Sequence, residues 1–354
     1  MAIFSAETFR EVVSGQRQGL LPAALRGILA VAEPVYGAVV ARKNRRYDNG
    51  GLPITRVAVP VISVGNLTVG GTGKTPFVVW LAKWFRERSI AVTLISRGYG
   101  QSHGANDEAR EIAATLPDVP QLQNPDRIAA ARQAIAEHHA QAIILDDAFQ
   151  HRRLARDLDI VLIDALEPFG YGHLLPRGLL REPVANLNRA HIVALSRADA
   201  VSSSRREEIR AIVAQHAPQA VWLELVHQPV ALIDQAGNRE PLERWQGQPL
   251  AAFAGIGNPA GFQHTLARCG LNVKAFRALA DHQDYSLAVV QSLADWLRTQ
   301  TAAAVVCTHK DLVKLPLATI GEVPLRALQI ELTITRGEVE LNALLQALNI
   351  RSHE

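Results

Sequence analysis

A glycine-rich turn near residue 70 carries the residue types that bind phosphate groups. The segment Val61–Thr75 begins as a short apolar stretch and turns through several glycines before Lys74. Glycines allow backbone N–H groups to approach an anion, a lysine reaches the β- and γ-phosphates, and a threonine hydroxyl can ligate Mg²⁺. The candidate nucleotide-binding residues are Thr68, Val69, Gly70, Gly71, Thr72, Gly73, Lys74 and Thr75.

One position of this turn departs from the strict spacing of a phosphate-binding loop. The pattern requires glycine at position 68, where the chain has Thr68, although Gly70 and Gly71 lie inside the turn. The apolar stretch before the turn and the helical pattern that Pro76 opens after it support a phosphate site. The alternative is an ordinary glycine-rich turn without a ligand.

Two adjacent aspartates, Asp146 and Asp147, follow a second apolar stretch, Ile143–Leu145. Proteins with a phosphate-binding loop hold Mg²⁺ through a carboxylate at the end of a buried strand, directly or through water. Neighbouring residues of an extended chain point to opposite sides, so one aspartate could face the metal and the other a reacting group. We predict a Mg²⁺ site formed by Thr75, Asp146 and Asp147, which leaves open which aspartate touches the ion. The alternative is an aspartate that only caps a turn.

Three charged residues, Arg97, Asp107 and Arg127, lie in loops that follow other apolar stretches. In open α/β sheets, the loops at the carboxyl ends of the strands surround the ligand. Asp107 could accept the proton of a substrate hydroxyl, and Arg97 could bind phosphate. The residues alone leave the alternative open, because exposed charged side chains are usually only solvated and Asp126 could simply cap the helix that starts near Ile128.

Short apolar stretches alternate with helical patterns from Val57 onward. The stretches are rich in Val, Ile and Leu without polar alternation, which is typical of strands buried on both faces of a parallel sheet. They are Val61–Val64, Val92–Ile95, Ile143–Leu145, Ile160–Ile163 and Ile192–Leu195, with helical candidates at Pro76–Arg88 and Ile128–His138. This order predicts an α/β fold with a doubly wound parallel sheet, as in the P-loop NTPases.

We expect four segments along the chain. After an N-terminal helical region at residues 1–50, the P-loop core covers residues 51–220. Two β-like stretches around Asp234–Asn238 predict a β-hairpin linker at residues 221–245. Later strand-like and helical stretches, beginning at Leu250–Ala254, predict a smaller C-terminal α/β domain at residues 246–354.

The N-terminal region contains an apolar helical pattern over Leu20–Ala41. A basic cluster follows it, formed by Arg42, Lys43, Arg45 and Arg46. Such a helix could lie in an anionic lipid surface, or it could pack on the protein's own core, as amphipathic helices commonly do. Arg26 and Glu33 interrupt the stretch and argue against a membrane-spanning helix. Charged residues among the first 19 positions argue against a secretory signal peptide.

Composition excludes several classes of protein. Of the 354 residues, 48% are hydrophobic, which excludes wholesale disorder, and the length suits about two domains. Lys and Arg number 37 against 34 Asp and Glu, and the net charge of +3 gives no reason to expect a nucleic-acid partner. Two cysteines, Cys269 and Cys307, cannot form a disulfide scaffold, and no Cys/His spacing indicates zinc.

These motifs and others in the same order resemble those of the tetraacyldisaccharide 4′-kinases, the lipid A 4′-kinases of Gram-negative bacteria. The resemblance extends from the N-terminal helix to near the C-terminus. It is carried by Val64–Pro76, Arg97–Gly100, Asp107-Glu108, Asp126-Arg127, Asp146–Arg153, Leu175–Pro183, Ala254–Pro259 and Asp281-His282. The string Asp-Asp-x-Phe-Gln-His-Arg-Arg at residues 146–153 is highly specific.

The resemblance implies a reaction. This family transfers the γ-phosphate of ATP, with Mg²⁺, to the 4′-hydroxyl of a tetraacylated glucosamine disaccharide 1-phosphate. It implies that Lys74 serves the phosphates, that Asp107 accepts the hydroxyl proton with His282 tuning it, and that Asp146 and Asp147 organise Mg²⁺ and the transfer. The residues implied in further contacts to phosphate or substrate are Arg97, Tyr99, Arg127, Gln150 and His151.

The resemblance also implies a location, the cytoplasmic face of the bacterial inner membrane. The acyl chains of the substrate stay in the bilayer, so docking of the N-terminal helix on the inner-membrane surface becomes the favoured interpretation. We therefore expect a peripheral or monotopic membrane protein, and we expect it to be a monomer. Its partners would be the acylated disaccharide lipid and the membrane surface, with no nucleic acid.

Three features depart from the usual family pattern. Ala148 stands where the family usually has glycine, which would matter if that turn needed a positive φ. His309 stands where the family usually has glutamate, and the stretch between Arg97 and Asp107 is shorter than usual.

Two other functions are compatible with the same motifs. One is a P-loop NTPase of the partition or metallochaperone type, in which hydrolysis switches a partner interaction and no lipid-facing helix is needed. The other is a membrane-associated module that binds nucleotide without chemistry. ATPase rates with and without acylated disaccharide separate these functions from a lipid kinase.

Overall fold

A computed structural model of the chain describes residues 6–98, 112–257, 259–280 and 283–350. Its main helices are α1 Ala6–Ser14, α2 Leu20–Asp48, α3 Lys74–Arg86, α4 Arg127–His138, α5 Ser203–His216, α6 Pro259–Arg268, α7 Leu287–Leu297, α8 His309–Leu312 and α9 Glu338–Gln346. Its strands are β1 Val61–Asn66, β2 Val92–Ser96, β3 Gln121–Gln123, β4 Ala142–Asp146, β5 Leu158–Asp164, β6 Ile192–Ser196, β7 Val221–Ile233, β8 Arg239–Pro241, β9 Pro249–Ala254, β10 Asn272–Ala278, β11 Ala304–Thr308, β12 Thr319–Ile320 and β13 Val323–Arg336.

These residues form two compact units. The first unit takes the described residues up to Gly98, Asp118–Val226 and those from Thr333 onward. The second takes His227–Leu332 and the described part of Tyr99–Pro117. The boundary falls inside β7 and inside β13, so each of these long strands contributes residues to both units.

The sheet of the first unit is parallel and is ordered β7-β6-β5-β1-β4-β2-β3. Strand β1 lies between β4 and β5, with Val64 opposite both Asp146 and Ile160. All six residues of β1 are buried, as expected of an apolar strand in the interior of a parallel sheet. The predicted fold class, an α/β fold with a parallel sheet of the P-loop type, is confirmed.

Helix α4 shows how the sequence forms the layers of this unit. Its alanines Ala130 and Ala134 are fully buried and pack with Val61 and Ile143 of the sheet, because small side chains allow the helix to approach closely. The Asp126 carboxylate accepts hydrogen bonds from the first backbone N–H groups of α4. Asp126 therefore caps the N-terminus of α4, as one of the two interpretations from the sequence expected.

The second unit contains parallel strands in the order β10-β9-β11-β13. Strand β12 pairs antiparallel with β13, and β7 and β8 form an antiparallel hairpin around the turn at Asp234–Asn238. The fully buried Asp311 accepts hydrogen bonds from the Tyr285 hydroxyl at 2.7 Å and the Thr308 hydroxyl at 2.7 Å. These bonds fix the turn between β11 and α8.

The two units divide the chain differently from the four expected segments. The C-terminal helix α9 groups with the first unit, where Asn342 Oδ1 accepts a hydrogen bond from Trp84 Nε1 at 2.7 Å. The hairpin turn lies where the sequence indicates it, at Asp234–Asn238. Local composition shows where a strand begins, but it does not show which unit the far end of a long strand joins.

The apolar N-terminal helix is longer than predicted, because α2 runs from Leu20 to Asp48 and includes the basic cluster. One side of α2 is anchored to the first unit. The Glu33 carboxylate accepts from the Leu174 N–H at 2.7 Å, and the Tyr36 hydroxyl donates to the Arg181 carbonyl at 3.0 Å. These contacts fix the helix against residues 174–181.

The other side of α2 is exposed and apolar. Its exposed large side chains are Leu20, Leu21, Ile28, Val31, Val35 and Val39, which we call the apolar stripe. At 3.6 residues per turn, these six positions fall within an arc of about 100°. By length and composition alone, α2 is also long and apolar enough to cross a membrane, with a mean hydropathy of 1.5 over its best window. This differs from the expectation based on Arg26 and Glu33. A single such helix near the N-terminus is weak evidence for a membrane span.

Candidate functional site

The predicted phosphate loop connects β1 to α3. Gly70 and Gly73 have φ of 123° and 79°, in the left-handed region that glycine adopts without strain. Thr72 is buried, and its Oγ1 has no hydrogen-bond partner among the described residues. The loop thus brings a buried hydroxyl and the unsatisfied N–H groups at the start of α3 together, an arrangement suited to an anion.

The beginning of this loop is fixed by a later segment, residues 179–181. The Val69 N–H donates to the Leu179 carbonyl at 2.8 Å, and the Arg181 N–H donates to the Leu67 carbonyl at 2.7 Å. Arg181 Nε donates to the Thr68 carbonyl at 3.0 Å. Because the Val69 N–H is already bonded, the residues from Gly70 onward are the ones left for phosphate contacts.

Lys74, Asp147 and Arg181 form a charged cluster beside the loop. Arg181 holds Asp147 through two parallel hydrogen bonds, Nη1 to Oδ2 and Nη2 to Oδ1, both 3.0 Å long. Lys74 Nζ lies 3.5 Å from Asp147 Oδ1 and donates to Asn66 Oδ1 at 3.2 Å. Burial alone would raise the pKa of Asp147, but the Lys74 charge and the Arg181 hydrogen bonds lower it on balance. Asp147 is therefore ionised at neutral pH, with two cations converging on it.

The chain turns at Asp147, which has a φ of 48°. The extended conformation expected for the aspartate pair is therefore not observed at Asp147, although Asp146 does end β4. Ala148 is fully buried and does not have the positive φ, so its replacement of the family's glycine puts no strain on the backbone. The neighbouring Phe149 packs against Gly65, where an added Cβ would lie only 2.7 Å from the Phe149 Cβ.

Arg127 is buried beneath this turn and forms hydrogen bonds to its backbone. It is 3% exposed, and its Nη2 donates to the carbonyl oxygens of Asp146 at 3.0 Å and Asp147 at 3.2 Å. Burial lowers the pKa of Arg127, while the charges of Asp147 and Asp146 oppose that effect. These bonds fix the backbone of the two aspartates at the loop, and Arg127 thereby helps to position their side chains.

Gln150 and His151 lie beside the same cluster. The Gln150 side chain donates to the Asn66 carbonyl at 3.0 Å and accepts from Arg181 at 3.3 Å. Burial, followed by the charges of Arg127 and other nearby cations, lowers the pKa of His151 to about 4. The His151 ring is therefore neutral at physiological pH and can accept as well as donate a hydrogen bond.

A second arginine contacts the phosphate loop from the end of β6. Arg197 has a φ of 57° and forms an ion pair with Asp164 at the end of β5, with its Nε 2.9 Å from Asp164 Oδ1. Its Nη2 also donates to the Gly71 carbonyl at 3.2 Å. Two neighbouring strand ends therefore help to fix the middle of the loop.

The remaining predicted site residues are less closely defined. Arg97 is exposed just after β2, and its charge acts on Arg127. Thr75 lies in the first turn of α3. The other predicted residues, Tyr99, Asp107 and His282, lie outside the described residues.

The structure places at the loop three residues that were not among the predicted site residues: Asn66, Arg181 and Arg197. Asn66 and Arg181 both lie inside motifs that carry the resemblance, Val64–Pro76 and Leu175–Pro183. Their occurrence in these motifs was the signal that could have identified Asn66 and Arg181. Because the two residues are 115 positions apart in the sequence, the 2.5 Å contact between Arg181 Nη2 and Asn66 Oδ1 could not be predicted.

A parallel sheet, a glycine loop between its central strand and a helix, and a lysine facing an aspartate at the end of the next strand define a P-loop nucleotide-binding protein. The family model of tetraacyldisaccharide-1-P 4′-kinase (LpxK) matches residues 25–349. The chain belongs to this family.

Individual relatives agree with the family model. The tetraacyldisaccharide 4′-kinase of Anaeromyxobacter dehalogenans is 39% identical, over 93% of this chain and 92% of the relative. That of Halothermothrix orenii is 35% identical, over 89% of this chain and 90% of the relative. The crystal structure of "apo" form LpxK from Aquifex aeolicus in complex with ATP has a TM-score of 0.74 and 30% sequence identity, and the match covers 91% of this chain and 98% of that chain.

Proposed function

We propose that this protein is an ATP- and Mg²⁺-dependent lipid kinase that phosphorylates the 4′-hydroxyl of tetraacyldisaccharide 1-phosphate in lipid A biosynthesis. The observation that carries the proposal is the cluster of Lys74, Asp147 and Arg181 at a phosphate loop in a member of this family. Relatives that match most of the chain carry that kinase name, and the solved Aquifex relative is described in complex with ATP.

The reaction is a phosphoryl transfer to an alcohol. The 4′-hydroxyl oxygen forms a bond to the γ-phosphorus while the bond from that phosphorus to the bridging oxygen of ADP breaks, and the hydroxyl proton passes to a base. Such a transfer depends on positioning and charge neutralisation more than on covalent chemistry. Lys74 and the N–H groups from Gly70 to Thr75 would neutralise the phosphates, with Arg181 and Arg127 holding Asp147 in place.

The residues at the loop fit Mg²⁺. This ion prefers oxygen ligands and usually takes one or two carboxylates together with phosphate oxygens and waters. Both carboxylate oxygens of Asp147 accept hydrogen bonds from Arg181. Asp146 and the Thr75 hydroxyl are therefore the favoured protein ligands of Mg²⁺. Among the described residues, no three His, Cys, Asp or Glu side chains group into a metal site, as suits an ion bound largely by the nucleotide. When bound, Mg²⁺ would neutralise charge on the transferring phosphates.

We assign the base to Asp107 and its tuning to His282, on the match of both positions to family motifs. Replacing Asp107 with alanine should lower kcat about 100-fold or more with little change in the Kd for ATP, because a general base acts in the transition state. Steady-state kinetics and ATP titration measure the two quantities, and Glu111→Ala, which lies outside the family motif at residues 107–108, is the control. Wild-type turnover in Asp107→Ala would discard the assignment.

We further propose that the apolar stripe of α2 docks on the cytoplasmic face of the inner membrane. A substrate with acyl chains in the bilayer requires the enzyme to work at the lipid surface. The anchored side of α2 makes contacts through Glu33 and Tyr36, so a docked helix keeps these bonds while the stripe enters the acyl boundary. Arg42, Lys43, Arg45 and Arg46 add attraction to anionic headgroups.

A pair of charges in the stripe tests the docking. Leu21→Glu combined with Val31→Glu should weaken binding to vesicles of phosphatidylethanolamine and phosphatidylglycerol at least about tenfold, because two apolar side chains leave the bilayer. The control adds the same charge outside the stripe, as Gln16→Glu with Gln18→Glu. Sedimentation with vesicles measures the binding. Equal binding of both double variants would contradict docking through the stripe.

Incubation with γ-labelled ATP, Mg²⁺ and detergent-dispersed tetraacyldisaccharide 1-phosphate tests the kinase function directly. Labelled lipid is the expected product. ATP hydrolysis that does not need the lipid, without labelled lipid, would instead indicate an NTPase switch. Nucleotide binding without either product would indicate a binding module.

A further inference from the structure

The short helix α1 is fixed against the first unit beside the phosphate loop. Val12 and Val13 are each 2% exposed. The Val13 carbonyl accepts from Arg177 Nη1 at 3.0 Å, and the Val12 carbonyl accepts from Arg26 Nη1 of α2 at 3.3 Å. Helix α1 is thus attached both to α2 and to Arg177, which lies just before the segment 179–181 that fixes the start of the loop.

This attachment places Arg10 of α1 directly over the loop. A Cβ added to Gly70 would lie 2.9 Å from Arg10 Nη2, closer than side-chain atoms approach without moving. Gly70 also has a φ of 123°, so its backbone conformation is what favours glycine here, because the end of an exposed arginine side chain can shift at little cost. The Arg10 guanidinium therefore lies close to the loop backbone at residue 70.

Arg10 differs from the other cations near the loop. Lys74 and Arg181 pair with Asp147, and Arg197 pairs with Asp164. Arg10 is exposed and forms no ion pair with a carboxylate in the described part of the chain, although its charge acts on Glu167. Its charge is consequently not neutralised by a carboxylate paired with it among these described residues.

We propose that Arg10 is a further catalytic residue, which contacts the γ-phosphoryl group of the bound nucleotide and stabilises the charge on it during transfer. The inference rests on the proposed kinase function and adds a residue from α1, which lies outside the matched range of 25–349. An arginine supplied to a phosphate loop from the same chain is a known way to accelerate phosphoryl transfer. Arg10 forms and breaks no covalent bond, and it moves no proton.

Substitution of Arg10 in the full-length protein tests the proposal. Arg10→Ala should lower kcat about 100-fold or more while the Kd for ATP changes about threefold or less, because the contact strengthens only in the transition state. Arg10→Lys should recover part of the loss, and millimolar guanidinium chloride should partly rescue Arg10→Ala. Arg17→Ala, which removes a nearby exposed arginine, is the control and should keep wild-type kcat. Circular dichroism and thermal unfolding establish that each variant is folded.

Three results would overturn the proposal. A kcat for Arg10→Ala within about threefold of wild type would show that the guanidinium is not needed. A loss of kcat that neither lysine nor guanidinium restores would assign Arg10 a purely structural role. A raised KM for the lipid with unchanged kcat would place Arg10 on the phosphate of the acceptor. If the wild-type protein labels no lipid at all, the proposed function itself fails, which is a distinct outcome.

Discussion

Lys74→Ala should lower phosphorylation of the lipid about 1,000-fold or more. The Lys74 ammonium lies 3.5 Å from Asp147 and 3.2 Å from Asn66 Oδ1, at the first residue of α3, where the helix meets the phosphate loop. Its charge acts on the phosphates in a partly buried site, so water cannot replace it. Production of labelled lipid at saturating ATP measures the loss.

Lys83→Ala provides the matched control for this variant, because Lys83 lies on the same helix, α3, in its last turn. It should retain activity close to wild type. Retention of more than about a tenth of wild-type activity by Lys74→Ala would contradict the assignment of Lys74 to the phosphates.

Asp147→Asn should also lower kcat by about 1,000-fold, but it should not weaken ATP binding. The substitution keeps the size of the side chain and removes the charge on which Lys74 and Arg181 converge. Loss of that negative charge makes the site more attractive to an anionic nucleotide. The transfer, however, loses the carboxylate that positions Lys74 and Arg181. Kinetics and ATP titration on the same preparation separate the two effects.

The same variant should be less stable without nucleotide. Removing one partner from a buried ion pair costs about 3–5 kcal/mol, but the Asp147 side chain is 28% exposed, so we expect about 1–2 kcal/mol. The pKa of Asp147 is depressed in the folded protein, so its contribution is present above the ordinary carboxyl pKa and is lost as pH falls through the depressed value. Denaturant unfolding at neutral and at acidic pH measures this difference. If Asp147→Asn weakened ATP binding more than it lowered kcat, the assignment of Asp147 to the transfer step would be contradicted.

The sequence predicted the core of the fold because its signals are local. The apolar stretch Val61–Val64 is the observed strand Val61–Asn66, and the glycine turn before Pro76 is the observed loop. Buried parallel strands need apolar residues on both faces, and a phosphate loop needs glycines at close spacing, so both leave a mark in a few consecutive residues. The fold class followed from these marks, and the family followed from the longer series of motifs that includes residues 146–153; both are confirmed.

The parts that could not be predicted depend on distant pairs or on one backbone angle. Arg181 holds Asp147 across 34 positions of the sequence, and nothing near either residue shows the pairing. The left-handed turn at Asp147 overrode the extended conformation that a strand followed by two aspartates suggests. Helix α1 was not predicted as a separate element, because it is only nine residues long and lies within the expected N-terminal helical region, although Val12 and Val13 are buried.

The hydrogen bond from Tyr36 to the Arg181 carbonyl bears on how this protein should be prepared for drug discovery. Deleting an apolar N-terminal helix is a common way to raise the yield of purified protein. Here the residue that receives the Tyr36 bond also clamps Asp147, so truncation would loosen the chemistry together with the lipid attachment. Compounds selected against a shortened version would meet a distorted target. Inhibitor screens should therefore use the intact polypeptide in mild surfactant.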